Sequence, residues 1–191
     1  MRTILSITAC AFALTACSTD AGRDMMPDDT TTPGGMTADD APAGATASAT
    51  MMDASGRELG TLALADAATG ITLTGTLTGL PPGEHAIHVH TVGACEVPFT
   101  SAGGHWNPTD SEHGTQNPNG PHFGDMLNVT VAADSTVSVQ RDTPGGMLEG
   151  ENALLDADGA SVVVHAGPDD NVTDPAGNAG DRIACGVITR D

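Results

Sequence analysis

Alternation of apolar and polar side chains with a period of two is the feature that most constrains the fold. Residues 71–78 read Ile-Thr-Leu-Thr-Gly-Thr-Leu-Thr. A β-strand places successive side chains on opposite faces, so this pattern predicts a strand with one buried face. Seven similar short runs lie at 47–53, 58–65, 84–90, 127–132, 136–140, 161–165 and 183–189. Eight short strands separated by turn residues predict an all-β antiparallel sandwich or barrel.

The composition supports this fold class and excludes some functions. The chain has 24 Gly and 12 Pro, which favour turns, and only 2% aromatic residues, so a core must consist mainly of aliphatic side chains and Met. The formal net charge is −19, and all six basic residues are arginines. A chain this acidic has no electrostatic route to a phosphate backbone, which excludes nucleic-acid binding. An anionic membrane surface would also repel it.

The N-terminus has the pattern of an export signal. Arg2 precedes an uncharged apolar run at 3–16, which is shorter than the roughly 20 residues needed to cross a bilayer. This is typical of a secretory signal peptide, predicted here at 1–16. The run ends in Leu-Thr-Ala-Cys, which resembles a bacterial lipobox and predicts lipidation of Cys17 after cleavage. The following Ser18 resembles outer-membrane sorting and predicts a lipoprotein on the periplasmic side of that membrane. An ordinary signal peptide with an incidental cysteine is the alternative.

Residues 17–46 are predicted to form the lipidated cysteine and a flexible tether, followed by one domain at 47–191. The tether is rich in Thr, Asp, Ala, Gly and Pro and has no apolar periodicity, so it cannot bury enough surface to offset its ordering entropy. It contains Met25, Met26 and Met36. Thioethers can bind Cu(I), but the absence of a repeat favours methionines without such a role.

The four cysteines predict one disulfide. Cys10 would leave with the signal peptide and Cys17 would carry lipid, which leaves Cys95 and Cys185 in an exported chain. An oxidising compartment favours their pairing. In the chain-entropy model, closing a loop of about 90 residues stabilises the fold by roughly 4–5 kcal/mol.

Two long segments, 91–126 and 166–182, interrupt the strand pattern and are dense in Gly, Pro, Asn and Asp or His. Loops of this length in a compact domain are usually functional or held by specific bonds. His88 and His90 are two apart on a predicted strand, so both rings lie on one face and could bind one metal. Read alone, such a pair is more often structural.

The first long segment contains a set of residues that suits zinc. These residues are His105, His113, His122 and Asp125. Three imidazoles and a carboxylate form a closed tetrahedral zinc site, which would also hold irregular backbone in place. Exposed loop histidines are the alternative. Taken alone, His165 is interpreted as a strand-end histidine and Asp169 as a solvated carboxylate.

Four segments, in order, resemble the copper/zinc superoxide dismutase family. They are AIHVH at 86–90, GHWNP at 104–108, PHFGD at 121–125 and GNAGDRIACGVI at 177–188. The resemblance covers about residues 47–191. It implies an eight-stranded Greek-key sandwich or barrel with two long functional loops.

The resemblance also implies a role for each matched residue. Copper would be bound by His88, His90, His105 and His165. Zinc would be bound by His105, His113, His122 and Asp125, so that His105 bridges both metals. Asp169 would link a copper histidine to a zinc histidine. Arg182 would attract and orient the anionic substrate beside the copper, although a surface ion pair is its alternative role. Cys95 and Cys185 would form the family disulfide, and His85 would be structural.

The implied activity is dismutation of superoxide to O2 and H2O2 by a redox-cycling copper bridged through His105 to a structural zinc, in the cell envelope. The protein would be a monomer or a homodimer. The second long segment contains four aspartates and no lysine, which predicts weak electrostatic steering of superoxide. A metal buffer or chaperone on the same fold is the alternative function. A hydrolytic zinc enzyme is disfavoured because the chain has no HExxH motif.

Overall fold

The computed structural model describes residues 44–191. These residues form nine strands: β1 (Thr46–Asp53), β2 (Glu58–Asp66), β3 (Ile71–Thr78), β4 (Gly83–His85), β5 (Ile87–His90), β6 (Val129–Val131), β7 (Thr136–Asp142), β8 (Ser161–His165) and β9 (Arg182–Arg190). Within this range the only helical element is a 3₁₀ turn at Thr100–Ala102, and no helix could span a membrane. The predicted signal peptide, Cys17 and nearly all of the predicted tether lie outside the described residues.

The strands pair in antiparallel fashion throughout, and the predicted all-β fold class is confirmed. Seven strands form one sheet in the order β5-β8-β9-β1-β2-β3-β7, which curls into a half-barrel, and β4 pairs with β6. Neighbours in the large sheet are often far apart in sequence. Long connections must therefore cross between them, as in a Greek key.

One predicted strand, 84–90, is divided between the two sheets. His85 pairs with β6, whereas Ile87 pairs with β8. Between them, the Ala86 N–H donates to the carbonyl of Gly167 at 2.9 Å. The residue pattern runs through this point without a turn residue, so the change of sheet leaves no mark in the sequence.

The inward face of the large sheet forms one apolar core. On β1, β2 and β3 it includes Ala47, Ala49, Met51, Leu62, Leu64, Ile71, Leu73 and Leu77. The connection between β7 and β8, at 143–160, adds the buried side chains of Leu148 and Leu154. Burial of each such Leu contributes roughly 1.5–3 kcal/mol, so aliphatic burial compensates for the scarcity of aromatic residues.

Strands β5 and β8 are buried on both faces. Ile87 and Val89 point into the core, and the period of two places His88 and His90 on the opposite face. Both long connections, the one at 91–128 and the one between β8 and β9, reach that second face, where Asp169 contacts His88 and Gly103 contacts His90. The fold thus positions two histidines on a rigid strand between the core and these connections.

The disulfide attaches the start of the first long connection to the sheet. Cys95 and Cys185 are bonded, with a sequence separation of 90. Phe99, Ala102 and Val163 pack with Cys185 in a second, smaller apolar cluster. The connection is therefore held at its N-terminal end by a covalent bond and by apolar burial.

Candidate metal centre

Backbone hydrogen bonds bring the first long connection to the free edge of β5. The Trp106 N–H donates to the Val89 carbonyl at 2.9 Å, and the Val89 N–H donates to the Gly124 carbonyl at 3.0 Å. A Cβ on Gly124 would lie 2.1 Å from the Val89 oxygen, so only glycine allows this approach. These contacts place the neighbouring residues His105 and Asp125 beside the histidines of β5.

We call the first group of converging donors the four-histidine cluster; its members are His88, His90, His105 and His165. One ring nitrogen of each lies within 4.8 Å of the others, and all four residues are buried. The second ring nitrogens contact, in the same order, the Asp169 carboxylate (2.7 Å), the Gly103 carbonyl (3.0 Å), the Asp125 carboxylate (2.8 Å) and the Gly180 carbonyl (3.2 Å).

These hydrogen bonds determine where each ring carries its proton. An oxygen acceptor fixes the N–H on the nitrogen that contacts it, so the other nitrogen presents a lone pair. Those other nitrogens are Nδ1 of His88 and Nε2 of His90, His105 and His165, and none has a hydrogen-bond partner among residues 44–191. Four buried lone pairs directed at one point would be costly unless a cation binds there. The arrangement therefore fits a metal bound by four imidazoles.

Burial keeps these imidazoles neutral. Desolvation lowers the pKa of His88 to about 3, against the opposing effect of its hydrogen bond to Asp169. Desolvation lowers the pKa of His165 to about 4 and that of His90 well below its usual range. Neutral imidazole is the form that binds metals, so the cluster is ready to bind at neutral pH.

We call the second group the carboxylate cluster; its members are His105, His113, His122 and Asp125. Asp125 Oδ1 lies 2.8, 3.0 and 3.3 Å from Nδ1 of the three histidines in that order. A tetrahedral zinc with bonds of about 2.0–2.1 Å separates its ligands by about 3.3 Å. The distances from Asp125 Oδ1 to the three nitrogens are therefore close to those within a zinc ligand set, and the four residues offer ligand atoms that lie within 4.8 Å of one another.

The hydrogen bonding of Asp125 leads to the same interpretation. Its Oδ2 accepts the N–H groups of Gly114 (2.8 Å) and His122 (3.0 Å), which leaves Oδ1 facing three imidazoles. One oxygen has two lone pairs and cannot accept three such bonds well. Burial raises the pKa of Asp125, but the three histidines hold it well below its usual range. An ionised carboxylate among imidazoles fits a divalent cation.

Asp169 connects the two clusters. Its Oδ2 lies 2.7 Å from Nε2 of His88, and its Oδ1 lies 3.0 Å from Nε2 of His113. Although burial raises the pKa of Asp169, these hydrogen bonds lower it below its usual range. The same carboxylates, Asp125 and Asp169, raise the pKa of His113 to about 9 against the effect of burial.

Two residues received no role in the sequence analysis: one bonds Asp169, and the other leaves room for its carboxylate. Asn128 bonds both backbone groups of Asp169, donating from Nδ2 to its carbonyl (2.9 Å) and accepting its N–H (2.9 Å). Gly177 has a φ of +59°, and a Cβ there would lie 1.8 Å from Asp169 Oδ1. The glycine is visible in the sequence, but the group it must avoid is known only from the fold.

Arg182 lies beside the four-histidine cluster. Its Nη1 and Nη2 donate to the carbonyls of Phe99 and Gly103, each at 2.7 Å. With His105 and His165 it lines an open cavity of about 300 Å³. Arg182 forms no ion pair within the described part of the chain, so its positive charge is available at this cavity.

His85 belongs to neither cluster. Its Nδ1 contacts the carbonyl of His165 at 2.8 Å, and its Nε2 contacts the carbonyl of Pro81 at 2.9 Å. Both ring nitrogens are thus used to hold backbone, including that of a cluster member. This placement agrees with a structural role.

Comparison with known proteins identifies the family. The family model described as copper/zinc superoxide dismutase (SODC) matches residues 59–188. The chain belongs to the copper/zinc superoxide dismutase family. It is 44% identical over 146 residues to superoxide dismutase [Cu-Zn] 2 of Aquifex aeolicus (strain VF5), which covers 74% of this chain and 85% of that protein. It is 43% identical over 147 residues to a superoxide dismutase [Cu-Zn] of Caulobacter vibrioides, covering 74% and 84%.

Solved structures of similar proteins agree. A superoxide-dismutase-like protein from Bacillus subtilis has a TM-score of 0.70 at 34% identity, covering 73% of this chain and 96% of that chain. Cu/Zn superoxide dismutase from Brucella abortus has a TM-score of 0.63 at 29% identity, covering 75% and 99%. This dismutase family uses copper and zinc, and the chain has two buried clusters that could bind them. The protein is an enzyme of superoxide dismutation.

Proposed function

We propose that the four-histidine cluster binds copper, that the carboxylate cluster binds zinc, and that His105 bridges the two metals. The observation that carries this proposal is the double membership of His105. Its Nδ1 lies 2.8 Å from Asp125 Oδ1 in one cluster, and its buried Nε2 points into the other. Once the proton that Nδ1 shares with Asp125 is displaced by zinc, one ring offers a nitrogen to each site.

The donor sets favour this assignment of the metals. Four imidazoles suit copper, and three imidazoles with one carboxylate form a closed tetrahedral zinc site. When bound, copper supplies reversible one-electron transfer, and zinc supplies positive charge without redox chemistry. In the reaction one superoxide is oxidised to O2, and a second, with one electron and two protons, becomes H2O2.

The protein's own residues position the substrate and a proton. Arg182 attracts superoxide into the cavity and orients it, because its guanidinium is fixed by two backbone carbonyls beside the cluster. His105 lines the same cavity, so its Nε2 is placed to hold a proton and give it to the reduced substrate. The ring stays in position meanwhile because its Nδ1 remains in the carboxylate cluster.

The test compares His105→Ala with a matched control, His85→Gln. Both replace a buried histidine, but His85 contacts only carbonyls. We expect wild type and His85→Gln to bind one copper and one zinc per chain, and His105→Ala to lose at least about 100-fold in dismutation rate. Metal analysis and pulse radiolysis on the same preparations measure this. Full activity in His105→Ala would contradict the bridge, and stoichiometric metals without turnover in wild type would indicate a metal-binding module.

We also propose that the protein is exported and anchored by lipid at Cys17 to the periplasmic side of the outer membrane. The apolar run at 3–16 and its Leu-Thr-Ala-Cys ending support this, and a disulfide is stable in such an oxidising compartment. We expect labelled palmitate to be incorporated into wild type and Cys10→Ser but not into Cys17→Ser. Labelling of Cys17→Ser would contradict the anchor.

A further inference from the structure

Asp174, in the connection between β8 and β9, reaches two members of the carboxylate cluster. Its Oδ1 accepts the backbone N–H of His113 at 2.7 Å and lies 3.8 Å from Nε2 of His122. The side chain of Asp174 is 52% exposed, whereas that of His122 is 7% exposed. The carboxylate therefore lies at the boundary between solvent and the buried cluster.

The geometry of His122 explains what this carboxylate could do. Nδ1 of His122 faces Asp125 Oδ1 and has no hydrogen-bond partner among residues 44–191. If Nδ1 presents a lone pair to a metal, the ring proton is on Nε2, which faces Asp174. The gap of 3.8 Å is longer than a hydrogen bond, so Asp174 acts on Nε2 of His122 through its negative charge, while its Oδ1 stays bonded to the His113 N–H.

One other imidazole of this cluster, that of His113, has a contact of the same kind. Nε2 of His113 contacts Asp169, and Nε2 of His105 lies in the four-histidine cluster. A carboxylate behind a metal-binding histidine fixes its tautomer and raises its basicity as a ligand. For His122, the acidic side chain in that position is Asp174.

We propose that Asp174 is a positioning residue for the zinc site. Its charge orients His122, and its Oδ1 holds the backbone of His113. This rests on the proposed zinc assignment. The next residues, Pro175 and Ala176, line the substrate cavity together with His105 and His122. Asp174 therefore connects zinc binding to the wall of the cavity that superoxide enters.

The other aspartates of this connection have different contacts. Asp170 accepts the N–H groups of Val172 and Thr173 and so stabilises its own loop. The exposed side chain of Asp181 makes no hydrogen bond or ion pair with either cluster in the described chain. Asp181→Asn therefore removes the same charge from the same loop without touching the cluster.

The test measures the zinc affinity of the copper-loaded full chain by competition with a chromophoric chelator. Asn at position 174 can still accept the His113 N–H but lacks the charge that faces His122. We expect Asp174→Asn to bind zinc about 10-fold more weakly than wild type, Asp174→Ala to bind it more weakly still, and Asp181→Asn to stay within about twofold. Wild-type affinity in Asp174→Asn would overturn the proposal, whatever the Ala variant does.

A spectroscopic measurement separates this positioning role from a general loss of stability. Co²⁺ in place of zinc gives visible absorption bands that depend on ligand geometry and basicity. We expect these bands to shift in Asp174→Asn and to stay unchanged in Asp181→Asn, and identical bands in all three proteins would overturn the proposal.

The variant His122→Ala separates failure of the zinc assignment from failure of the role given to Asp174. If that variant binds zinc as wild type does, the zinc assignment itself fails, whereas a normal Asp174→Asn beside a defective His122→Ala refutes only the role of Asp174.

Discussion

The two faces of β5 differ in whether the protein alone satisfies the groups that they bury. Ile87 and Val89 pack into an apolar core that the chain supplies entirely by itself. His88 and His90, on the opposite face, are just as buried, but each leaves one ring nitrogen without a hydrogen-bond partner in the described residues. The core therefore specifies the fold without metals, whereas the buried ring nitrogens of the histidine face need metal ions as partners.

The same difference extends to the two long connections. They are linked to each other by polar contacts, such as the Gln116 N–H to the Asn171 carbonyl at 3.0 Å and the Thr115 hydroxyl to the Asn171 side chain at 2.7 Å. Individual hydrogen bonds contribute only about 1 kcal/mol net, so these segments depend on the disulfide and on metals more than the sheet does.

The largest effect is expected from removal of the disulfide. Without the disulfide, in the Cys95→Ser, Cys185→Ser double variant, the unfolded chain gains conformational entropy, because residues separated by 90 positions are no longer linked. This should lower the free energy of unfolding by about 4–5 kcal/mol. Urea denaturation measures this, and hydrogen exchange should rise at 91–104 more than in β1 to β3. A loss below about 1 kcal/mol would contradict the role given to this bond.

A core substitution should act independently of the metals. Leu73 is fully buried on β3, and Leu73→Ala should cost about 2–5 kcal/mol through lost burial and a cavity. Because the core is complete without metals, we expect the same loss in metal-free and metal-loaded protein, with metal stoichiometry unchanged. A loss confined to the loaded form would show that the two faces of the sheet are not separable.

In contrast to the core substitution, Gly177→Ala should mainly weaken metal binding. The new Cβ would displace the Asp169 carboxylate, and we expect 10- to 100-fold weaker metal binding, or about 1.4–2.8 kcal/mol. Gly56→Ala is the control, because Gly56 has a φ of +82° with nothing within 4 Å of its Cβ position. Equal metal affinities in the two variants, measured by chelator competition, would leave backbone strain as the whole effect.

The smallest expected effect is that of salt on the dismutation rate. The second long connection contains Asp169, Asp170, Asp174 and Asp181 and no lysine, so Arg182 attracts superoxide against an acidic surrounding. We expect the rate to fall only weakly, or to rise, between about 10 and 200 mM salt. A steep fall in pulse radiolysis would show strong steering instead.

The sequence predicted the strands well because alternation is a local property. Predicted bounds such as 58–65 and 136–140 differ by one or two residues from β2 and β7. The change of sheet at Ala86 was missed because it depends on contacts with Gly167, 81 residues further along the chain. Strand order in the sheet is likewise set by distant partners.

The candidate site was predictable to different degrees. Strand geometry places His88 and His90 on one face, but their assignment to copper came from the family resemblance. The residue types and spacing of His105, His113, His122 and Asp125 suggested a zinc site. Arg182, Asp169 and His165 received their roles only through family resemblance, since nothing local distinguishes them from other loop charges or from a strand-end histidine. Asn128 and Asp174 were missed because their roles consist of contacts with residues 41 and 61 positions away.

The central claim, that His105 is shared by both metals, is tested most directly by electron paramagnetic resonance of the chain loaded with Cu²⁺ in one cluster and Co²⁺ in the other. A shared ring couples the two paramagnetic ions, so the account predicts that the ordinary Cu²⁺ signal is lost when Co²⁺ is added. An undiminished Cu²⁺ signal at full occupancy of both sites would contradict it.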